Sequence, residues 1–433
     1  MLKGRKAFII AWGILFIAIG WNFYNVFQLA ADIPIEDDWD YLEAVANWDW
    51  RTLFAVHVQH RIIFTRLLFY LCHCFNLLDF RFIIILNWFI YLGMVGATAL
   101  LFRREICRYP FFALFFLPFF SDAAQTNLLW AGQNQFHFML LFGLLAVFYG
   151  SKPESKRNTI LFCVFLTLST FSMSPLFPAV ILGCHLMKQL MLLNDPLNSG
   201  QKRNIFLMII FKAAWGIATF GLFFIHYTPA SLPHPRLPLF VVYVFASLAK
   251  SLTSATSEMP LPLIFIFAIL LVLPGIFFLK LLWKLKFRFF RQNEIAATLL
   301  LWGAVFAAAI AWGRNGIIDW RHTEAILPIL PATAAILVKY SRWNKNKLAL
   351  KSFVCMLLLS MCFSLSFKHS KCKYSSRQIG LQKLQHWLRS PNAEPEIPEL
   401  YPGKGFKDKI RAGQKLKLSC LQTDNSQTTQ CPD

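Results

Sequence analysis

Charge is scarce in this chain, and acid is the scarcer half. Of its 433 residues only 15% are Asp, Glu, Lys or Arg, where a soluble chain of average composition carries about 25%. That deficit excludes an ordinary soluble enzyme and a disordered protein. Cysteine is also too sparse for a secreted disulfide scaffold: there are 10, most of them in or beside apolar runs, where a free thiol behaves as a small hydrophobe. No CxxC pair, no HExxH and no phosphate-cradling Gly loop occurs. Cys72, His73 and Cys74 form too tight and too apolar a cluster for a zinc site. No internal repeat is apparent, which weakens a transporter built on inverted repeats.

What is abundant is apolar and aromatic: 57% hydrophobic residues, with 45 Phe and 14 Trp, as suits a chain that meets lipid over most of its length. Lys and Arg number 43 against 22 acids, a net +21. Such a sign often marks a nucleic-acid binder. Here the bases fall in short clusters between apolar runs, the pattern that orients a multi-pass membrane protein, and no nucleic-acid partner is expected. A spanning helix needs about 20 mostly apolar residues. Runs near 7–27, 82–102, 110–121, 136–150, 159–174, 176–193, 204–226, 261–282, 295–313, 324–340 and 350–367 qualify as candidates, and 61–78 and 239–254 are ambiguous. Five basic clusters, beginning with Arg103, Arg104 and Arg108, share the cytoplasmic side only if neither ambiguous run crosses fully. That gives an all-α membrane protein of about eleven spans (roughly ten to thirteen), with interfacial helices in its outer loops and a cytoplasmic amino terminus. The first run follows Lys3, Arg5 and Lys6 with no small-residue cleavage site, and reads as a retained helix.

Residues 1–367 therefore read as a transmembrane domain and 368–433 as a polar tail, expected outside. The tail holds a short amphipathic pattern (Leu381, Leu384, Trp387, Leu388), then Pro-rich extended chain. Cys372, Cys420 and Cys431 could supply one disulfide there. Its basic start, Lys368, Lys371, Lys373 and Arg377, argues against an external position.

Polar residues converge on one expected face. The first outer loop, 28–60, holds Asp32, Glu36, Asp37, Asp38, Asp40, Glu43 and Asp49, seven of the 22 acids. Carboxylates so crowded repel one another and raise some pKa values; the cluster binds a cation, takes a proton or is simply solvated. Trp39, Tyr41, Trp48 and Trp50 would seat the loop at headgroup level. His57, His60 and Arg61, three and four apart, would share a helix face, a set suited to phosphate or, more plainly, to snorkelling toward headgroups. The second loop, 121–135, carries Asp122, Gln125, Asn127, Gln133, Asn134 and Gln135, with His137 just beyond. Amides this dense serve a wet, sugar-binding cavity, where Trp130 could stack on a sugar face, or interhelical hydrogen bonding. A third motif at 314–324, with Arg314, Asp319, Arg321, His322 and Glu324, could hold an anionic headgroup or pair internally. His73 and His185 read as satisfied core residues.

DDWDYL, HVQHRIIFTRLL, LLWAGQNQF and GRNGIIDWRHTEAILP, in that order, resemble a broad group of bacterial multi-pass membrane proteins with DEW, HxEHR, WGFQxQF and GR…SRY elements. Through the acid pair after the first span, the resemblance extends to the GT-C superfamily of glycosyltransferases. It covers about residues 1–340. Gln59 stands where Glu is usual, Ala131-Gly132 replaces a Gly-Phe step, and Trp320-Arg321-His322 replaces Ser-Arg-Tyr. The resemblance implies a GT-C-like fold in the bacterial cytoplasmic membrane. It also implies transfer of a sugar from a polyprenyl-phosphate carrier to an envelope glycan or lipid acceptor at the outer face. Carried over, Asp37 is the base. Asp38 orients the acceptor or a divalent cation, Mg or Mn, which only some relatives use. His57, His60, Arg61, Arg314, Arg321 and His322 face the phosphate, and Asp122, Trp130, Gln133 and Gln135 face the sugar or acceptor. Two other readings stay open: an O-antigen polymerase or ligase, which usually lacks the acid pair, and a flippase of lipid-linked sugars, whose polar residues should lie at mid-bilayer depth.

Overall fold

A computed structural model describes residues 2–196, 198–227, 235–241, 243–244, 274, 276–285, 287–313, 322, 324–341, 347–364, 368–391 and 394–422. Among them the structure is helical throughout, with no strand. In chain order the α-helices are α1 Leu2–Leu29, α2 Asp38–Ala46, α3 Trp50–Phe54, α4 Ile63–Cys74, α5 Phe80–Leu101, α6 Arg103–Arg108, α7 Asp122–Leu128, α8 Asn134–Gly150, α9 Lys156–Ser172, α10 Leu176–Leu192 and α11 Ser199–Phe224. They continue as α12 Phe287–Gln292, α13 Glu294–Gly313, α14 Ile329–Ser341, α15 Lys347–Ser364, α16 Lys368–Arg389 and α17 Phe406–Lys415.

Among the described residues five helices are long and apolar enough to cross a membrane: Phe8–Leu29, Phe80–Leu101, Ala131–Gly150, Ser199–Phe224 and Glu294–Gly313. The protein is built as a membrane protein. On α1 one stripe, Ala11, Leu15, Asn22 and Val26, is buried; its spacing of four and seven is that of one helix face. The opposite face bares Ile9, Phe16 and Ile17, the last 74% exposed. In water such a stripe would be a severe penalty; against acyl chains it costs nothing.

The ambiguous run 61–78 becomes α4, of 12 residues. That is about 18 Å of helix, too short for a hydrocarbon core of about 30 Å, in line with the expectation that it does not cross. The run 239–254 lies mostly outside the described residues. The run 110–121 folds as a 3₁₀ segment, Pro110–Phe120, instead of an α-helical span. It packs on α1 and α14, and Phe112, Phe116, Phe119 and Phe120 are fully buried. Close helix contacts use glycine: a methyl at Gly143 on α8 would stand 2.3 Å from the Phe177 ring of α10.

The tail differs most from expectation. Instead of a short helix followed by extended chain it forms α16, of 22 residues, an extended stretch and then α17. Leu384, Ile397, Leu400, Phe406 and Ile410 are all buried, and Phe406 meets Trp39 of α2 edge-on, ring centres 4.9 Å apart. Lys409 pairs with Asp40 and, at 2.9 Å, with Glu43. The tail thus caps the first loop. Its positive charge, which seemed to argue against sharing that loop's side, answers the loop's acids. Cys372 and Cys420 are free thiols, and Cys431 lies outside the described residues.

Candidate functional site

The acid-rich first loop closes one end of the helical body, and beneath it lies a cavity of about 330 Å³. Its mouth is polar: Glu36, Asp37, His57, His60, Gln133, Gln135 and His322. Its floor is apolar, with Phe136 and Met139 from α8, Leu176 from α10, and Trp302, Phe306 and Ile310 from α13.

Asp37 and Asp38, adjacent in sequence, have opposite fates. Asp38 is 1% exposed. Its carboxylate accepts from the Ile35 N–H at 3.2 Å and the Gly132 N–H at 2.7 Å, which ties the first loop to the second. Burial pushes this carboxyl well above the usual range, against the pull of those N–H groups and of Arg377. Arg377, on α16, donates to the Leu129 carbonyl at 2.7 Å; burial lowers it to about 10 while Asp38 and Glu36 act to raise it. Asp38 is therefore a structural clamp. Gly132 is required beneath it, since a methyl there would stand 2.4 Å from the Tyr41 ring and 2.7 Å from the Asp38 carboxylate.

Asp37 opens α2 without capping it. Its side chain, 35% exposed, faces His57, with Oδ2 3.8 Å from Nε2. Behind His57 the Tyr41 ring stands edge-on at 5.1 Å; burial, and then Asp37 and Asp38, hold its phenol well above the ordinary pKa. The expected helix face of His57, His60 and Arg61 is not formed. Residues 57–60 make a two-residue hairpin turn closed by reciprocal backbone bonds of 2.8 Å between His57 and His60. The turn carries Val58 at φ 53°, and Glu36 across the mouth sits at φ 45°. A β-branched residue at positive φ is a genuine outlier, and such strain gathers at functional sites.

The turn directs Arg61 away from the cavity. Its guanidinium donates to the Phe223 carbonyl at 2.7 Å and also to the Phe54 and Ile225 carbonyls. Arg66 binds the Thr52 carbonyl at 2.7 Å. The two arginines pin 52–55, and Arg61 also pins the end of α11; the phosphate contact expected of Arg61 does not fit this placement. Among the amides, Gln133 and Gln135 line the cavity, buried, each with a side-chain oxygen that has no hydrogen-bond partner among the described residues. Trp130 and Asp122 are buried elsewhere, and Asp122 is held by Ser370 of the tail; neither reaches the cavity wall where sugar contact was expected. Trp39 and Tyr41 turn inward, and Trp48 stacks on Tyr70 at 3.6 Å. Of the four loop aromatics expected at headgroup level, Trp50 is the one clearly bared, at 65%. Arg314 and Arg321 lie outside the described residues. His322 lines the mouth, backed by a fully buried pair: His137 Nε2 is 2.5 Å from Glu324 Oε1.

A cation at Asp37 and Asp38 is not favoured, because both Asp38 oxygens are taken by backbone N–H groups. Among the described residues, the three groups whose ligand atoms come within 4.8 Å of one another are instead Asp37, Asp40 and His57. Carboxylates and an imidazole suit a divalent metal, but Lys409 already holds Asp40 and supplies positive charge there, so the residues do not fit a resident cation as they stand.

Sequence reasoning missed the apolar floor, since Trp302 and Phe306 look like any lipid-facing residues. It also missed the tail's clamp on the loops, which no local signal announces. Searches of protein-family models, of curated proteins and of solved structures return no match for this chain.

Proposed function

We propose that the protein is a GT-C-like glycosyltransferase that moves a sugar from a polyprenyl-phosphate carrier to an acceptor of the bacterial cell envelope. The reading rests on one observation, the division of a single cavity into a carboxylate–imidazole–amide mouth and an apolar floor between α8, α10 and α13. A lipid-linked sugar has this same division. The prenyl chain would lie along Phe136, Trp302, Phe306 and Ile310, and the sugar would meet the unpaired amide oxygens of Gln133 and Gln135, which are good acceptors for hydroxyls.

Asp37 takes the acceptor hydroxyl's proton, with His57 at its side to orient it and to share the charge. The freed oxygen attacks the anomeric carbon from the face opposite the carrier. The bond from that carbon to the carrier oxygen breaks, and the lipid phosphate leaves with the electron pair, inverting the centre. His60 and His322 would donate to that phosphate, with Arg314 and Arg321 their partners in the sequence motif. Around this site we infer a body of about eleven spans. Its amino terminus and basic loops would face the cytoplasm, and the first loop and tail, which pack together, would share the outer face. The polar mouth lies at the helix ends and in loops, which favours a transferase over a flippase.

The test is transfer from a synthetic polyprenyl-phosphate hexose by the purified protein in proteoliposomes, together with mass spectrometry of surface glycans from a deletion strain. Loss of a glycan substituent in the deletion strain, restored by wild type and not by Asp37→Asn, is the expected result. Restoration by that variant would remove the base assignment, and unchanged glycans would remove the reading.

A further inference from the structure

At the other end of the same helices lies a second, larger cavity that the proposed transfer does not use. Its volume is about 540 Å³. On α8 it touches Phe148, whereas the first cavity begins at Gln135; thirteen residues of helix separate these by about 20 Å. Four stretches remote in sequence meet there: Arg103 and Arg104 where α5 passes into α6, Lys152 in the turn after α8, Arg291 from α12 and Lys339 from α14. Read singly, these bases do no more than orient loops. Together they are five cations around one hollow.

Their pairing is uneven. Arg291 is spent on Asp195 through two bonds of 2.7 and 2.8 Å. Lys339 donates to the Gln292 carbonyl and to Asn293 at 2.9 and 2.8 Å. Among the described residues Arg103 and Arg104 make no ion pair or hydrogen bond, although the charge of Arg104 reaches the Glu105 carboxyl, and Lys152 lies over the Phe148 ring at 4.4 Å. Of the two acids in the wall, Glu294 is taken by Lys188 at 2.5 Å, and burial holds the Glu105 carboxyl above its ordinary range. Part of the wall beside these cations is apolar, Leu101, Ile295, Ala335 and Ile336, and part is polar, Ser151, Gln292 and Asn293. Two guanidinium forks that donate to no other side chain among the described residues, beside apolar side chains, form the complement of a phosphodiester that carries acyl chains.

We propose that this cavity binds the phosphate headgroup of an anionic membrane lipid, held by Arg103, Arg104 and Lys152. The chemistry recognised is the phosphate, which a soluble phosphate ester could also present, and the test separates these sources. The full-length protein, delipidated in detergent, is titrated with phosphatidylglycerol, with phosphatidylcholine and with inorganic phosphate, and adducts are counted by native mass spectrometry. Wild type should retain one phosphatidylglycerol in preference to phosphatidylcholine, and the double variant Arg103→Gln/Arg104→Gln should bind it about tenfold more weakly or worse. Lys156→Gln/Arg157→Gln, which removes two nearby charges outside the cavity, should bind as wild type does. Inorganic phosphate binding that depends on Arg103 and Arg104, with no preference between the lipids, keeps the phosphate site and makes its ligand soluble. Equal weakening in both double variants, or no adduct of either kind, overturns the proposal. Size-exclusion profiles and melting temperatures of the variants guard against misfolding, and the binding readout is independent of any sugar transfer.

Discussion

Two charged clusters, a closed one beside the second cavity and an open one at the first, use the same residue types to opposite effect. At one end Glu154, Lys212, His185, Glu294 and Lys188 form a closed chain of charge. Lys212 Nζ reaches Glu154 at 2.7 Å and His185 Nε2 at 2.8 Å; His185 Nδ1 lies 3.3 Å from Glu294, whose other oxygen holds Lys188 at 2.5 Å. Gln189 and Thr159 add hydrogen bonds to Glu154 at 2.5 and 3.1 Å. Lys212 is 1% exposed and His185 3%. At the other end Asp37 faces His57 across 3.8 Å and opens onto a cavity where the Gln133 and Gln135 side-chain oxygens have no hydrogen-bond partner among the described residues. A buried network with every charge answered fixes helices relative to one another. A carboxylate held near an imidazole beside open space is poised to meet something else.

The sharpest way to break the contrast is to trade one function against one fold. Asp37→Asn should cut sugar transfer by about 10²–10⁴-fold, the usual worth of a positioned general base, and leave the melting temperature in detergent within a degree or two of wild type. If transfer survives, or the protein melts early, the open end is not a site in the sense argued.

Next in size is the closed end. Lys212→Met strands the Glu154 carboxylate with less than its share of positive charge, and breaking a buried pair in this way costs about 3–5 kcal/mol. Thermal unfolding in detergent should report it, and adding Glu154→Gln should recover a large part. Michaelis constants of the surviving folded fraction should not move. A change there would mean that the network is coupled to the cavity at the other end.

How much of this was legible beforehand divides along the same line. Most of the described apolar runs fold as α-helices, the 3₁₀ segment Pro110–Phe120 being an exception, and the ambiguous run 61–78 gives the short α4. The crowded acids and the glutamines mark the cavity end, because residues so costly near a membrane need a wet neighbour. The division of labour between Asp37 and Asp38 could not be read, since adjacent carboxylates are alike until the fold turns one inward. Arg61 misled for a local reason: His60 and Arg61, three and four residues after His57, suit a helix face, while the backbone forms a turn at Val58. The tail's part was hidden by distance. Lys409 and Glu43 lie 366 residues apart, and only the folded chain shows that a basic tail is the counterion of an acidic loop.

A smaller substitution examines the joint between the two outer loops. Gly132→Ala places a methyl against the Tyr41 ring and the Asp38 carboxylate, 2.4 and 2.7 Å away. Neither neighbour is a flexible tip, since Tyr41 is 1% exposed and Asp38 is clamped. Overpacking of this kind costs about 1–3 kcal/mol. Because Gln133 and Gln135 follow directly, transfer should fall more than stability does, with the loss in kcat as well as KM. Wild-type turnover in a fully folded Gly132→Ala protein would show that the second loop does not place the sugar.

The smallest effect is in pH, and its sign is set by the closed end. Burial acts to raise the Glu154 carboxyl, but the hydrogen bonds and charges of His185 and Lys212 overcome it and lower the group from 4.5 to about 2. A carboxyl depressed in the folded state contributes stability that is fully present above its unfolded pKa and is lost as pH falls through the folded one. Wild type should therefore lose melting temperature progressively between about pH 4.5 and pH 2. Other carboxylates titrate in the same window, so the informative quantity is the difference from Glu154→Gln, which lacks the titrating group. That variant should start lower at neutral pH and decline less steeply, the two curves converging by about 2–4 °C as acid is added. Parallel curves would mean that Glu154 is no better paired when folded than when unfolded, and the closed end would then be closed in geometry alone.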